Sequence, residues 1–164
     1  MLEIKNLTKT YVPKKGVPVV ALKDINLKIE ENGLVFILGK SGSGKSTLLN
    51  LLGGLDKYDE GDILIKGKST KDFTQGDFDS YRNTYVGFIF QEYNILEEFS
   101  VGANIALAIE LQGRKASNEE VNKILDTLDL TGFGNRRPNE LSGGQRQRVA
   151  IARALEKNPD IILA

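Results

Sequence analysis

Nine consecutive residues, Gly39, Lys40, Ser41, Gly42, Ser43, Gly44, Lys45, Ser46 and Thr47, carry the chemistry that stands out in this sequence. Their order is glycine, four residues, then Gly-Lys-Ser, the pattern of a phosphate-binding loop. Glycines let the backbone curl so that successive amide N–H groups face one concavity, and a helix beginning there adds the positive end of its dipole. Lys45 offers a cation to the β- and γ-phosphates, the Ser46 hydroxyl suits Mg²⁺, and Thr47 is placed to help hold the α-phosphate. A flexible Gly/Ser turn would use the same residue types. The flanks argue for the binding loop: residues 34–38 read as a buried apolar strand and residues 46–52 as a helix ended by Gly53-Gly54.

A second constellation is Leu141, Ser142, Gly143, Gly144 and Gln145. Ser142 can cap a helix, and Gln145 stands three residues on, the spacing of a capping box. Gly143 and Gly144 would let a ligand come close to the backbone. Spacing alone leaves two readings open, a second anion-facing helix start or simply a well-capped helix.

Elements that must position these residues are legible from periodicity. Leu2, Ile4 and Leu7 alternate with polar residues, and Leu22, Ile25, Leu27 and Ile29 do so within 21–29, so two strands are expected before an Asn32-Gly33 turn. Residues 63–65 and 85–90 read as strands with a short helix at 77–82 between them. Residues 101–111 have helical spacing and stop at Gly113. Residues 117–128 form a further helix, with Ser117 and Glu120 at capping-box spacing and Val121, Ile124, Leu125 and Leu128 on its core face. A helix over 143–157 and a buried strand at 161–163 complete the pattern. The expected fold class is α/β: a phosphate-loop NTPase core with parallel strands, an N-terminal antiparallel β-subdomain, and a helical subdomain inserted at about 92–150.

Composition narrows the chemistry. The 164 residues hold 22 Lys+Arg and 22 Asp+Glu, so the formal net charge is zero. Phosphate-backbone binders draw affinity from a basic excess, so nucleic acid is not the expected partner. The chain has no Cys and no His, which excludes disulfides, thiolate nucleophiles and Cys/His zinc sites. A metal here must take oxygen ligands, as Mg²⁺ does. No segment has the roughly 20 apolar residues that a membrane-spanning helix needs.

Taken together, the two glycine motifs resemble those of the ABC ATPases, residues 39–47 their phosphate loop and residues 141–145 their signature motif. Residues 146–155 (Arg-Gln-Arg-Val-Ala-Ile-Ala-Arg-Ala-Leu), Gln91 after a strand, and Tyr11 near the N-terminus also resemble the family, in its order. Residues 48–56 and 17–27 look like the subfamily of macrolide export and lipoprotein release. The resemblance implies that Tyr11 stacks on adenine and that residues 39–47 hold the triphosphate of ATP. It implies that Lys45 and Gln91 serve catalysis, and that Ser46 and Gln91 coordinate Mg²⁺, with Gln91 also near the attacking water. Ser142, Gly143, Gly144 and Gln145 would meet ATP held by a second copy in a head-to-tail dimer. Residues 92–100 would face an integral membrane permease, placing the protein at the inner, cytoplasmic face of the cell membrane. In this reading the whole chain is one ABC ATPase domain, with 1–91 and 151–164 as core and β-subdomain and 92–150 as the helical subdomain.

The sequence also departs from the family pattern. After Ile161, Ile162, Leu163 and Ala164 the family continues into an Asp for Mg²⁺, a Glu for the attacking water and a switch histidine, none of which this chain contains. The expectation is an incomplete core with exposed strand edges, weak stability and slow ATP turnover. Two other readings stay open: a non-transport ABC ATPase, or a nucleotide-binding module without catalysis. The distance from Lys45 to Ser142 leaves no room for the long coiled-coil insertion found among the former.

Overall fold

Strand β1 (Leu2–Tyr11) buries Leu2 and Ile4, then Leu7 and Lys9. A strand alternates faces with a period of two, so even positions cannot give way to odd ones without an inserted residue. The switch falls at Asn6, whose φ is 49°, and the pairing with β2 (Val19–Ile29) slips between Ile4 and Leu7. The Asn6 N–H donates to Asn26 Oδ1 at 2.9 Å and its side-chain amide donates to Asp24 Oδ1 at 2.7 Å, which holds the bulge in place. The consequence is that Lys9 lands on the core side and Tyr11 follows at the strand's end.

The computed structural model describes residues 2–164, in two compact units that meet in sequence at Phe78 and Asp79. In the first unit β1 pairs antiparallel with β2 on one side and with β3 (Glu60–Ile65) on the other. Strand β4 (Lys68–Ser69) completes the sheet, in the order β2-β1-β3-β4. Helix α1 (Lys45–Leu52) buries Leu48, Leu51 and Leu52 and ends at Gly53. Gly54 follows with φ 68°, the left-handed step that the Gly-Gly pair promised.

Residues 34–38 differ from the expectation. They form no strand, and Leu34, Phe36 and Leu38 are 78%, 74% and 88% exposed. A strand exists only through a neighbour's hydrogen bonds, and neither sheet among the described residues includes this run. The expected buried strand is therefore overturned: the run has a strand's apolar residues but no pairing partner among the described residues.

Helix α2 (Gln75–Thr84) spans the sequence boundary between the units and is longer than the expected 77–82. In the second unit β5 (Val86–Phe88) and β6 (Ile161–Leu163) pair in parallel, the only parallel pair among the described residues. The expected parallel core is thus present as this pair, without residues 34–38. The expected 85–90 strand is trimmed because the chain turns at once: Tyr93 and Asn94 have φ 62° and 48°, and the Tyr93 N–H donates to the Phe90 carbonyl at 3.0 Å. Of the strand expected to be buried at 161–163, Leu163 is buried but Ile162 is 47% exposed.

Helices α3 (Val101–Glu110), α4 (Asn118–Thr127) and α5 (Gly143–Leu155) share one core: Val101, Ile105, Ile109, Val121, Leu125 and Val149 are its centre. Ile124 and Leu128 pack on it from the rim, so the predicted face of α4 is the observed one. Ser117 caps α4 by accepting from the Glu120 N–H at 3.1 Å, but the reciprocal half of the expected capping box is missing. The Glu120 carboxylate pairs with Arg114 instead, where a full opposite charge outcompetes a backbone amide. Helix α5 stops two residues short of the expected Lys157, because Asn158 takes φ 48° ahead of Pro159.

Asn104 is fully buried in α3 and uses its whole side chain. Its Oδ1 accepts from the Leu96 N–H at 2.9 Å, and its amide donates to the carbonyls of Leu96 and Ser100, each at 3.0 Å. The loop before α3 is therefore stapled to the helix that follows it.

Exposed apolar residues in an extended, unpaired run favour association between copies. Replacing Phe36 and Leu38 together by Lys is expected to reduce concentration-dependent self-association in sedimentation velocity, with the far-ultraviolet circular dichroism of the chain retained.

Candidate phosphate-binding site

The glycine loop is curled as its sequence requires. Gly42 and Gly44 have φ 77° and 87°. At Gly44 a Cβ would lie 2.5 Å from the Ala21 carbonyl oxygen and 2.9 Å from Leu22 Cδ2, so the loop rests directly on β2. At Gly39 a Cβ would lie 2.5 Å from Ser43 Oγ, inside the curl. The Ser43 N–H donates to the Lys40 carbonyl at 3.2 Å and closes the turn.

Helix α1 starts at Lys45 with no side-chain cap and no acidic residue in its first turn. Its first amide bond beyond the loop runs from the Leu48 N–H to the Gly44 carbonyl at 2.9 Å. The amides ahead of it are left for an external acceptor, and the helix dipole favours an anion there. Lys45 Nζ folds back to donate to the carbonyls of Gly39 and Lys40 at 2.9 and 2.8 Å. Ser41 and Ser46 are exposed beside them, and Thr47 is half-buried. The predicted loop residues thus form one tight turn running into the start of α1, with Lys45 folded back over it.

Tyr11 is brought to the same unit by the end of β1. Its hydroxyl donates to Asp56 Oδ2 at 2.7 Å, and Lys9 Nζ stands 4.9 Å from the ring centroid. Lys9 Nζ also donates to Asp56 Oδ1 at 3.1 Å and to the Lys57 carbonyl at 2.5 Å. Burial pushes the Tyr11 phenol up, and its bond to Asp56 adds to that, while the nearby Thr47 hydroxyl acts the other way. Burial also pushes the Asp56 carboxyl up. The hydrogen bonds from Tyr11, the Lys57 N–H and Lys9 outweigh it and hold the carboxyl below its ordinary value. Sequence reading singled out neither Lys9 nor Asp56 as a site residue. The signal for Lys9 was a lysine one bulge out of phase with its strand's polar face, visible only once Asn6 is known to insert a residue.

In the second unit Gln91 is exposed in the turn after β5, and no hydrogen bond among the described residues engages its side chain. Ser142 and Gln145 form the full capping box: Ser142 Oγ accepts from the Gln145 N–H at 3.3 Å and Gln145 Oε1 accepts from the Ser142 N–H at 2.9 Å. Gly143 and Gly144 are exposed, and a Cβ on Gly144 would meet nothing within 4 Å. The backbone at this helix start is open to approach. On Gly143 a Cβ would come 3.1 Å from the Tyr93 hydroxyl.

Known proteins resolve what the geometry leaves general. Residues 22–164 match the family model described as ABC transporter. The chain belongs to the ABC transporter family. It is an ATP-binding domain of that type, with an α/β fold. All of it aligns, at 43% identity, with the uncharacterized ABC transporter ATP-binding protein MJ0796 of Methanocaldococcus jannaschii, covering 72% of that protein. It is 45% identical to the lipoprotein-releasing system ATP-binding protein LolD of Buchnera aphidicola, again over 72% of the relative. Among solved structures, a dimeric post-hydrolysis state of the MJ0796 cassette bound to ADP and Pi superposes with a TM-score of 0.89, over 100% of this chain and 73% of that one. No helix among the described residues of this ABC domain is long and apolar enough to cross a membrane.

A carboxyl held below its ordinary 3.8 in the folded state favours folding wherever it is ionised, and that contribution is lost as pH falls through the lowered value. Urea midpoints of the wild type and Asp56→Asn are therefore expected to differ at pH 7 and to converge as pH falls through the lowered carboxyl value, the wild type losing the larger share of stability.

Proposed function

We propose that this chain binds Mg-ATP through residues 39–47, with Tyr11 against the adenine, as the nucleotide-binding part of a membrane transporter. The observation that carries the reading is the glycine loop itself: a curled backbone, an uncapped helix start, and Lys45 held at two neutral carbonyls. A phosphate oxygen is a stronger acceptor than either carbonyl, so Lys45 exchanges them for the ligand. The first-turn amides of α1 take the remaining phosphate oxygens.

The donor set also fits a magnesium nucleotide. No group of three or more His, Cys, Asp or Glu suited to a metal is found among the described residues. Mg²⁺ needs no such cage, because it uses one or two protein oxygens together with substrate phosphates and water. Ser46 would supply one such oxygen, and Gln91 is the second ligand that the family resemblance implies. Bound Mg-ATP supplies the phosphoryl group and the charge neutralisation that its transfer requires. The protein's part is to orient: Lys45 would fix the terminal phosphates, and the resemblance gives Gln91 the part of orienting the attacking water.

Transport is favoured over the non-transport reading by the relatives, one of which is described as the ATP-binding protein of a lipoprotein-releasing system. Residues 92–100 are the surface for an integral membrane permease, and that partner would hold the chain at the cytoplasmic face. Asn104 secures this loop from α3; Arg137 donates to the Glu98 carbonyl, and Arg153 donates to the Asn94 carbonyl at 2.5 Å. Ser142, Gly143, Gly144 and Gln145 are read as the contact with nucleotide on a second copy, head to tail. Their exposure supports this, as does the dimeric state described for the MJ0796 cassette. Residues 92–150 are taken as the helical subdomain, bracketed by the β5–β6 pair, with 1–91 and 151–164 as core and β-subdomain.

Calorimetric titration with Mg-ATP is expected to show binding that Lys45→Ala abolishes; equal binding by both would remove the loop from the site. Phosphate release by the 164-residue chain alone is expected to be slow, since it contains no His to act as general acid or base. Sustained turnover at several per second, near the median of about 10 s⁻¹ for enzymes, would contradict this.

A further inference from the structure

We propose that Asp56 is a positioning residue for Tyr11, and that through it the base side of the site is tied to the phosphate loop. The inference rests on reading Tyr11 as the adenine contact. An exposed tyrosine ordinarily samples several rotamers, and ordering one on binding costs affinity. Tyr11 keeps 41% of its surface exposed, yet three things fix its ring. Its Cα lies at the paired end of β1, opposite Val19. Its hydroxyl is held by the Asp56 carboxylate at 2.7 Å. One side of the ring carries the Lys9 ammonium, 4.9 Å from the centroid. Tyr11 stacks on no other ring among the described residues, and its exposed surface leaves room for a ligand to reach the ring.

Asp56 is itself fixed from two directions. It follows the Gly53-Gly54 turn that ends α1, where the Gly54 N–H donates to the Leu51 carbonyl at 3.1 Å and the Leu55 N–H to the Asn50 carbonyl at 2.8 Å. Its second oxygen accepts from Lys9, which is 8% exposed, and from the Lys57 N–H at 2.7 Å. The same short helix therefore begins in the phosphate loop and ends by placing the carboxylate that orients Tyr11. A carboxylate is the group the place demands, since it alone among the uncharged and charged acceptors both balances the Lys9 ammonium and takes two further donors.

The test separates a positioning role from a purely structural one by using two ligands. Mg-ATP needs both halves of the site, and magnesium tripolyphosphate needs only the loop. Asp56→Asn and Tyr11→Phe are each expected to weaken Mg-ATP by about 3- to 10-fold, from the ordering cost of one side chain, while tripolyphosphate affinity stays unchanged. The double variant is expected to be no weaker than the weaker single one, because the two groups act as a unit. Equal losses for both ligands would overturn the proposal, as would Asp56→Asn binding Mg-ATP like wild type. A readout without nucleotide stands beside these: in protein labelled with 3-fluorotyrosine, the ¹⁹F resonance of Tyr11, assigned by Tyr11→Phe, is expected to shift in Asp56→Asn. An unmoved resonance overturns the contact. Tyr11→Ala binding Mg-ATP as tightly as wild type, with the resonance still shifting in Asp56→Asn, would instead refute the adenine reading and with it the nucleotide consequence proposed here.

Discussion

The left-handed turn at Gly44 sits where a side chain has no room. Its backbone lies against the Ala21 carbonyl and Leu22, so the phosphate loop is cast on the second strand of the antiparallel sheet. The loop can keep its amides pointed inward only if β2 stays where it is. That strand is held along its length by β1, and β1 by β3. Any residue with a Cβ at position 44 would have to push the loop off the sheet and would also carry the strain of positive φ. A two-sided constraint of this kind explains how a run rich in Gly and Ser, flexible in isolation, acquires one shape.

The same sheet supplies Tyr11, the aromatic residue of the proposed site. The bulge at Asn6 rotates the strand's phase by one residue, which buries Lys9. A buried ammonium needs an anion, and Asp56 is that anion. Having been brought to Lys9, the carboxylate's other oxygen binds the tyrosine hydroxyl. A local irregularity in one strand thereby determines which residue can hold Tyr11. In the second unit the logic is similar but uses helices: a fully buried Asn104 and the two arginines Arg137 and Arg153 fasten a loop whose backbone, with positive φ at Tyr93 and Asn94, would not hold its shape unaided.

Much of this was legible from residue order. The capping box of Ser142 and Gln145, the core face of α4 and the Gly-Gly stop of α1 depend on neighbours a few positions away, and each appears as read; at 39–47 the glycine turn and helix start appear without the strand expected before them. Elements that depend on distant chain were read less well. Residues 34–38 have the apolar run of a buried strand, but a run cannot state what it will pair with. Glu120 had the spacing of a capping residue, but Arg114 was the stronger partner.

Sequence by itself determined the residue pattern: a glycine loop with Lys45 and Ser46, a second glycine-led helix start, and no residue capable of thiolate or imidazole work. These follow from residue type and short spacing, which fix local geometry without help from elsewhere. Tertiary structure alone decided that Lys9 is buried, that Asp56 meets it across 47 positions, and that Tyr11 is held by that carboxylate. Long-range pairing of this sort turns on where a bulge shifts the face of a strand, and one residue of slip is enough to send a side chain to the opposite side of the sheet.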